Sequence, residues 1–275
     1  MIFEENIGNI CIVNGEPQDK GVLELYKSDK YKAFYEVIRI INGVPIFYED
    51  HFARLKVSLT KLNYELSINK KELKNQIQDV CKLNNYSDCN IKVIVLQYGA
   101  EQITITSINK FYYPTIQEYN NGVSCCTLNI MRKNPNVKLI NTSYKEEVKR
   151  TIEEKKVFEV LLVNDGGKIT EGGKSNVFFV KGDKIYTSPE EYVLVGITRR
   201  YVVDVCKKLG YEVIETLIGV DSLTSFDAAF LTGTGIKVLP IQVINDLEID
   251  SAKNPITQHV MVGYNSLISS YINDN

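Results

Sequence analysis

Glu171 stands in the run Lys168-Ile169-Thr170-Glu171-Gly172-Gly173-Lys174-Ser175-Asn176, directly before the apolar Val177-Phe178-Phe179-Val180. A carboxylate carried toward the interior there is costly unless a cation meets it, so Glu171 predicts a cationic partner. Other residues suggest anion binding. Gly196-Ile197-Thr198-Arg199 reads as a helix start, whose backbone N–H groups and threonine hydroxyl suit a phosphate. Thr232-Gly233-Thr234-Gly235 reads as a small-residue turn at a strand end, and Arg54 could offer a bidentate charge. Lys138 is a lysine inside the apolar run Val137-Lys138-Leu139-Ile140. Each has a plain structural reading alone: a helix start, a surface arginine, an edge-strand lysine reaching water, a structural ion pair.

Two phosphate motifs fail on spacing. Gly173-Lys174-Ser175 imitates the end of a P-loop, but the first glycine of that motif would fall on Lys168, and a strand rather than a helix follows. Gly233-Thr234-Gly235 imitates a dinucleotide fingerprint, but its last glycine falls on Val238 and Pro240 opposes a helix opening there.

The elements that must position these residues follow from periodicity and turn chemistry. Strands are expected over Ile10 to Val13 and Ala33 to Ile40, with a hairpin at Asn42-Gly43. From Asp50, Phe52, Leu55, Leu59 and Leu62 recur at helical spacing and place Arg54 near that helix's start. A second helix spans roughly Lys70 to Leu83, then strands cover about 90–96 and 102–107. Phe111-Tyr112-Tyr113-Pro114-Thr115 reads as a linker, so a boundary is expected near 112–121, with domains of 1–115 and 116–275. The second half offers a strand at 122–130, the Lys138 run, a charged helix from Lys145 to Lys156, and a strand at 158–163. The Glu171 unit follows, then a helix from Gly196 closed by Gly210, strands at 211–217 and from Ala228, and a final helix from Pro255 to Tyr271.

The whole chain has 275 residues, 44% of them hydrophobic and 24% charged, which suits an ordered globular protein of one large or two modest domains. A net charge of −2 gives no basic footprint for nucleic acid. No apolar run approaches the length of a membrane span and the N-terminus does not read as a signal peptide, so a cytoplasmic protein is expected. Six scattered cysteines without C-x-x-C spacing, and only two histidines, His51 and His259, argue for small core thiols in a reduced compartment and for no metal.

Taken together, in order, the motifs resemble the class IV, fold-type IV aminotransferases that use pyridoxal 5'-phosphate (PLP), a group that includes D-amino-acid and branched-chain aminotransferases and aminodeoxychorismate lyase. The resemblance runs from about Tyr35 to Ile241. His51-Phe52-Ala53-Arg54-Leu55 is similar to H-x-x-R-L, whose arginine binds the cofactor phosphate. Lys138-Leu139-Ile140-Asn141 resembles K-x-L-N, whose lysine forms the Schiff base. Thr170-Glu171-Gly172-Gly173-Lys174-Ser175-Asn176-Val177-Phe178 resembles T-E-G-x-x-S-N-x-F, whose glutamate meets the pyridine nitrogen. Gly196-Ile197-Thr198-Arg199 matches G-I-T-R, and Thr232-Gly233-Thr234 with Pro240 resembles T-G-T followed by a spaced proline.

The resemblance implies an α/β (α+β) fold of two domains, a small N-terminal α/β domain and a larger, β-rich C-terminal one, with PLP at their interface and a homodimer as the working form. It implies Lys138 as nucleophile and general base, Arg54, Glu171, Asn176, Ile197, Thr198 and Thr234 as cofactor-binding residues, and Tyr35 and Gly235 against the substrate. The expected reaction moves an amino group between an amino acid and a 2-oxo acid. Two alternatives stay open: the family's pyruvate-eliminating lyase, and a PLP-binding protein without turnover. The chain also departs from the pattern. Asp29-Lys30-Tyr31-Lys32-Ala33 replaces a Gly-Asp-Gly, and Tyr98-Gly99-Ala100-Glu101-Gln102 lacks the Arg-x-His that grips the substrate carboxylate in the D-amino-acid enzymes. Lys237 stands where glutamate is usual, a charge that could meet an acidic substrate.

Overall fold

The computed structural model describes residues 3, 5–28, 30–132, 135–140 and 142–275, with Thr142 by its backbone alone. Asp29 and Asn141, which belong to segments compared above, lie outside the described residues. The chain forms two compact units: Met1–Tyr112 with Val137–Ile140 and Ser269–Asn275, and Tyr113–Asn136 with Asn141–Ile268.

In the first unit, β1 (Ile10–Val13), β2 (Glu16–Asp19), β3 (Lys32–Ile41), β4 (Val44–Pro45), β5 (Cys89–Tyr98) and β6 (Glu101–Asn109) form a sheet in the order β2-β1-β6-β5-β3-β4. The turns explain the pairing. Asn14-Gly15 and Asn42-Gly43 both have positive φ, so each reverses the chain in two residues and pairs β1 with β2 and β3 with β4. α1 (Tyr48–Thr60) and α2 (Lys70–Leu83) bury Leu55, Leu59, Leu73, Ile77 and Val80 against Ile38, Ile40, Ile91 and Val93. A capping box between Asn69 and Glu72 starts α2. On the other sheet face, Cys11, Val13, Ala33, Ile94, Leu96, Ile103 and Ile105 pack with Leu23. β5 is thus buried on both faces.

The run around Lys138, read from sequence as part of the second half, belongs to this first unit. The Tyr35 N–H donates to the Lys138 carbonyl at 3.1 Å and the Ile140 N–H to the Ala33 carbonyl at 2.9 Å, with Phe34 and Leu139 forming a bridge. The edge of β3 beyond β4 takes up these backbone groups, so the run attaches there rather than forming a long strand of its own.

The second unit holds α3 (Ile116–Asn121), β7 (Val123–Asn129), α4 (Thr142–Lys155), β8 (Glu159–Val163), β9 (Lys168–Gly172), β10 (Asn176–Lys181) and β11 (Lys184–Thr187). α5 (Ile197–Lys208), β12 (Glu212–Glu215), β13 (Ile218–Gly219), β14 (Ala228–Gly233), β15 (Lys237–Ile244), β16 (Leu247–Glu248) and α6 (Pro255–Asn273) follow. The strand order is β12-β11-β10-β14-β15-β7-β8-β9-β13, with β16 beside β15. Val177, Phe178, Phe179 and Val180 are all buried, as their unbroken apolar pattern requires, and Phe178 stacks on Phe230 with ring centres 5.1 Å apart. The 122–130 strand is realised as β7, whose parallel pairing with β8 is spanned by α4. Gly210 ends α5 at φ +85°, a conformation cheap only for glycine.

Among the described residues no helix is long and apolar enough to cross a membrane, and no group of three or more His, Cys, Asp or Glu could hold a metal ion.

Candidate active site

The first unit brings Lys138, Tyr35, Arg54, His51 and Glu36 together. The Lys138 N–H donates to Ser58 Oγ at 3.3 Å, and its carbonyl accepts from Tyr35 as described, so both backbone groups of Lys138 are held. Its Nζ lies 4.8 Å from the centre of the Tyr35 ring, over the π face, where an ammonium is attracted without being neutralised. Arg54 rises from the middle of α1 rather than from near its start, because the helix begins at Tyr48. Its Nε donates to Glu36 Oε1 at 2.8 Å and its NH2 to Glu36 Oε2 at 2.6 Å, a two-pronged ion pair. His51, one turn earlier on the same helix face, places Nδ1 2.7 Å from Glu36 Oε2.

Glu36 is 1% exposed. Burial by itself would push its carboxyl up, but the Arg54 guanidinium and the His51 hydrogen bond hold it down at about 2. Burial lowers the His51 pKa, partly opposed by Glu36 and reinforced by the charges of Arg54 and Lys138. The imidazole is therefore neutral at neutral pH, with Nδ1–H donating to the carboxylate.

The second unit gathers the acidic and helix-start residues. Glu171 lies on its own strand, β9, and is 2% exposed. The Leu194 N–H donates to Glu171 Oε2 at 3.0 Å, and Arg132 NH1 lies 3.7 Å from Oε1. A cation does face this buried carboxylate, and Arg132 also sits over the Tyr144 ring at 5.8 Å. Asn176, first residue of β10, donates from Nδ2 to the Leu194 carbonyl at 3.0 Å. Glu171 and Asn176 thus grip both backbone groups of Leu194, two residues before Gly196, the N-cap of α5. A Cβ on Gly196 would collide with Asn176 Oδ1, which is why glycine stands there.

No side chain caps α5, so its first-turn N–H groups at Ile197 and Thr198 keep the electropositive end that an anion would use. The Arg199 NH2 donates to the Ser188 carbonyl and to Glu215, both at 3.0 Å, and NH1 to Glu190 at 3.3 Å, tying the helix start to the segment that follows β11 and to β12. The Tyr264 hydroxyl, with its pKa pushed up to about 12 by burial, donates to Thr198 Oγ1 at 3.5 Å. Thr234 and Gly235 form the turn between β14 and β15, beside the start of β10, where Asn176 pairs with Thr232. Lys237 opens β15 at φ +54°.

Sequence reasoning did not identify Glu36, His51 as a partner of Glu36, Ser58, Arg132 or Glu159. Glu36 had a signal: it shares strand parity with Phe34, Ile38 and Ile40, so a charge on that buried face needed a partner. Glu159, buried on β8, accepts from the N–H groups of Val160 and Lys174 at 3.0 Å and from the Ser175 hydroxyl at 3.1 Å. It thereby shapes the turn between Glu171 and Asn176, and burial raises its pKa. Nothing in its local sequence, Phe158-Glu159-Val160, marks that role.

The sequence model of the family described as Amino-transferase class IV matches residues 33–244. The D-alanine aminotransferase of Bacillus licheniformis is 33% identical over 250 residues, covering 86% of this chain and 87% of that protein. The aminodeoxychorismate lyase of Bacillus subtilis (strain 168) is 25% identical over 257 residues, covering 87% of each. Among solved structures, the Escherichia coli branched-chain amino acid aminotransferase superposes with a TM-score of 0.84 at 21% identity, over 96% of both chains. A second branched-chain amino acid aminotransferase, from T.th. and solved with pyridoxamine 5'-phosphate, gives 0.84 at 22% identity, over 96% of this chain and 95% of that one. These likenesses establish the two-domain, fold-type IV architecture. With the family match spanning most of the sequence and carrying every motif from Tyr35 to Pro240, the chain belongs to the class IV aminotransferases, a family of PLP-dependent enzymes.

Proposed function

We propose that the protein is a transaminase that moves an amino group between an amino acid and a 2-oxo acid through PLP. The observation that carries the reading is the placement of Lys138, its backbone held by Tyr35 and Ser58 and its amine beside the Tyr35 ring and the Arg54–Glu36–His51 cluster. The donor set suits the group. A guanidinium and an uncapped helix start match a phosphate, a buried carboxylate matches a protonated ring nitrogen, and a positioned amine matches an aldehyde. When bound, PLP supplies that aldehyde and a ring that withdraws electrons from the substrate α-carbon.

This chain's residues do the rest. Arg54, the N–H groups at Ile197 and Thr198, the Thr198 hydroxyl and Thr234 would hold the phosphate. Glu171 would hold the proton on the ring nitrogen, its carboxylate oriented by the Leu194 N–H at Oε2. Asn176 acts through the backbone of Leu194, which aims the helix start. Lys138 Nζ is the base that takes the α-proton and returns it. Tyr35 and Gly235 would line the substrate, and the protein would work in the cytoplasm as a homodimer.

Borohydride reduction of the protein mixed with PLP, followed by peptide mass mapping, tests the assignment. A pyridoxyl mass on the Lys138 peptide is expected, and an adduct on another lysine would remove it. Because the D-alanine aminotransferase of Bacillus licheniformis is a relative, D-alanine is the first donor to try. Recovery of pyridoxamine phosphate from a single half-reaction marks a transaminase. The Bacillus subtilis lyase supports a second reading, which predicts pyruvate from aminodeoxychorismate with no amine form of the cofactor.

A further inference from the structure

Arg54 is a neutralised arginine in a buried setting, and that poses a question about how it binds anything. Glu36 takes two of its nitrogens as a fork, and His51 completes the same carboxylate from the next turn of α1. With His51 neutral, the cluster of Glu36, Arg54 and His51 carries no net charge, and Lys138 is the further cation acting on it. An arginine so compensated attracts an anion weakly by charge alone. It can still bind one strongly by direction, because the two-pronged pairing of Nε and NH2 with Glu36 fixes the guanidinium plane.

We propose that Glu36 is the positioning residue that makes Arg54 a reader of phosphate, so that PLP is selected over its unphosphorylated form, pyridoxal. The inference rests on the assignment of Arg54 to the cofactor phosphate. Three features carry it: both carboxylate oxygens are engaged, the carboxylate is 1% exposed, and its two partners come from a single helix face. Glu36 therefore has one orientation, and it transmits that orientation to Arg54.

The test compares the affinities of the full-length, cofactor-stripped protein for PLP and for pyridoxal, by absorbance or fluorescence titration, in wild type, Glu36→Gln, Arg54→Ala and the double variant. Glu36→Gln is expected to weaken PLP binding by about tenfold while leaving pyridoxal nearly unchanged. Arg54→Ala should remove the same preference, and the double variant should lose little more. If Arg54→Ala leaves the PLP-to-pyridoxal ratio intact, the phosphate role of Arg54 falls. If Arg54→Ala collapses the ratio and Glu36→Gln does not, the positioning role of Glu36 alone falls. Equal weakening of both ligands by Glu36→Gln would reduce Glu36 to a fold-supporting residue and overturn the proposal. Should Glu36→Gln fail to fold, Glu36→Asp decides: it keeps the charge but shortens the reach, so an intermediate ratio is expected and an unchanged one overturns the proposal.

Discussion

At the scale of the residue, the chain repeatedly buries a carboxylate and answers it locally. Glu36 is met by Arg54 and His51, Glu171 by Arg132 and the Leu194 N–H, and Glu159 by two N–H groups and a hydroxyl. The consequences differ with the partner. Glu36 is held at about 2 against an ordinary 4.5, so its ionised form favours the folded state. That contribution is fully present above the unfolded value and is lost as pH falls from 4.5 toward 2. Glu36→Gln is therefore expected to destabilise the protein at neutral pH by about 3 kcal/mol, with the gap to wild type narrowing as the pH falls through that window. Urea unfolding at several pH values checks it, and a gap independent of pH would contradict the charge-pair account. Lys138→Ala, at the lysine proposed to form the Schiff base, should lower turnover by about a thousandfold or more in a steady-state assay, and turnover near that of wild type would remove the assignment.

At the scale of the element, the entry into α5 is set by three side chains that act on the backbone before it. Glu171 and Asn176 hold Leu194, and Arg199 ties the first turn to Ser188, Glu190 and Glu215. Gly196→Ala would force the Asn176 amide away and release the Leu194 carbonyl. The expected result is weaker PLP binding by about tenfold or more, read by titration, with far-UV circular dichroism unchanged because α5 itself still forms. Gly173 has a different neighbour set: a Cβ there would lie 2.6 Å from Val148 Cγ1 and 2.9 Å from Glu159 Oε1. Gly173→Ala should cost about 1–3 kcal/mol of stability in denaturant melts. An unaltered midpoint would show that the turn shifts at little cost.

At the scale of the whole molecule, the C-terminal end of α6 belongs to the first unit although its start belongs to the second. Tyr271 donates to Glu49 Oε2 at 2.6 Å and sets its ring edge against Phe47 at 4.9 Å. Phe47 is the N-cap of α1 and sits at φ +52°, a conformation a bulky residue keeps only when its surroundings hold it. Tyr271→Ala should therefore destabilise the protein by about 2–3 kcal/mol in thermal or urea melts. Should Tyr271→Ala melt as wild type does, the ring contact with Phe47 has no such role. Much of this architecture was legible beforehand. The Asn42-Gly43 pair, the helical spacing of Leu55 and Leu59, and the apolar run of β10 are local signals, and each formed the element it predicts. β5 and β6 extend one or two residues beyond their expected ranges at each end, and β2 gives no sequence signal because Glu16–Asp19 is fully exposed and carries no apolar pattern.

What the sequence determined by itself was the family: ordered motifs spanning most of the chain carry the resemblance, and each consists of neighbours along the chain whose types are visible without a fold. What only the tertiary structure decided was who answers whom. Glu36 meets Arg54 across 18 positions of sequence, Glu171 meets Leu194 across 23, and Lys138 reaches back 80 positions to Ser58. Such pairs are set by packing of elements distant in the chain, and a buried charge signals that it needs a partner without signalling which one. The placement of Val137–Ile140 on β3 has the same cause, since an open sheet edge accepts any segment that chain closure can bring to it.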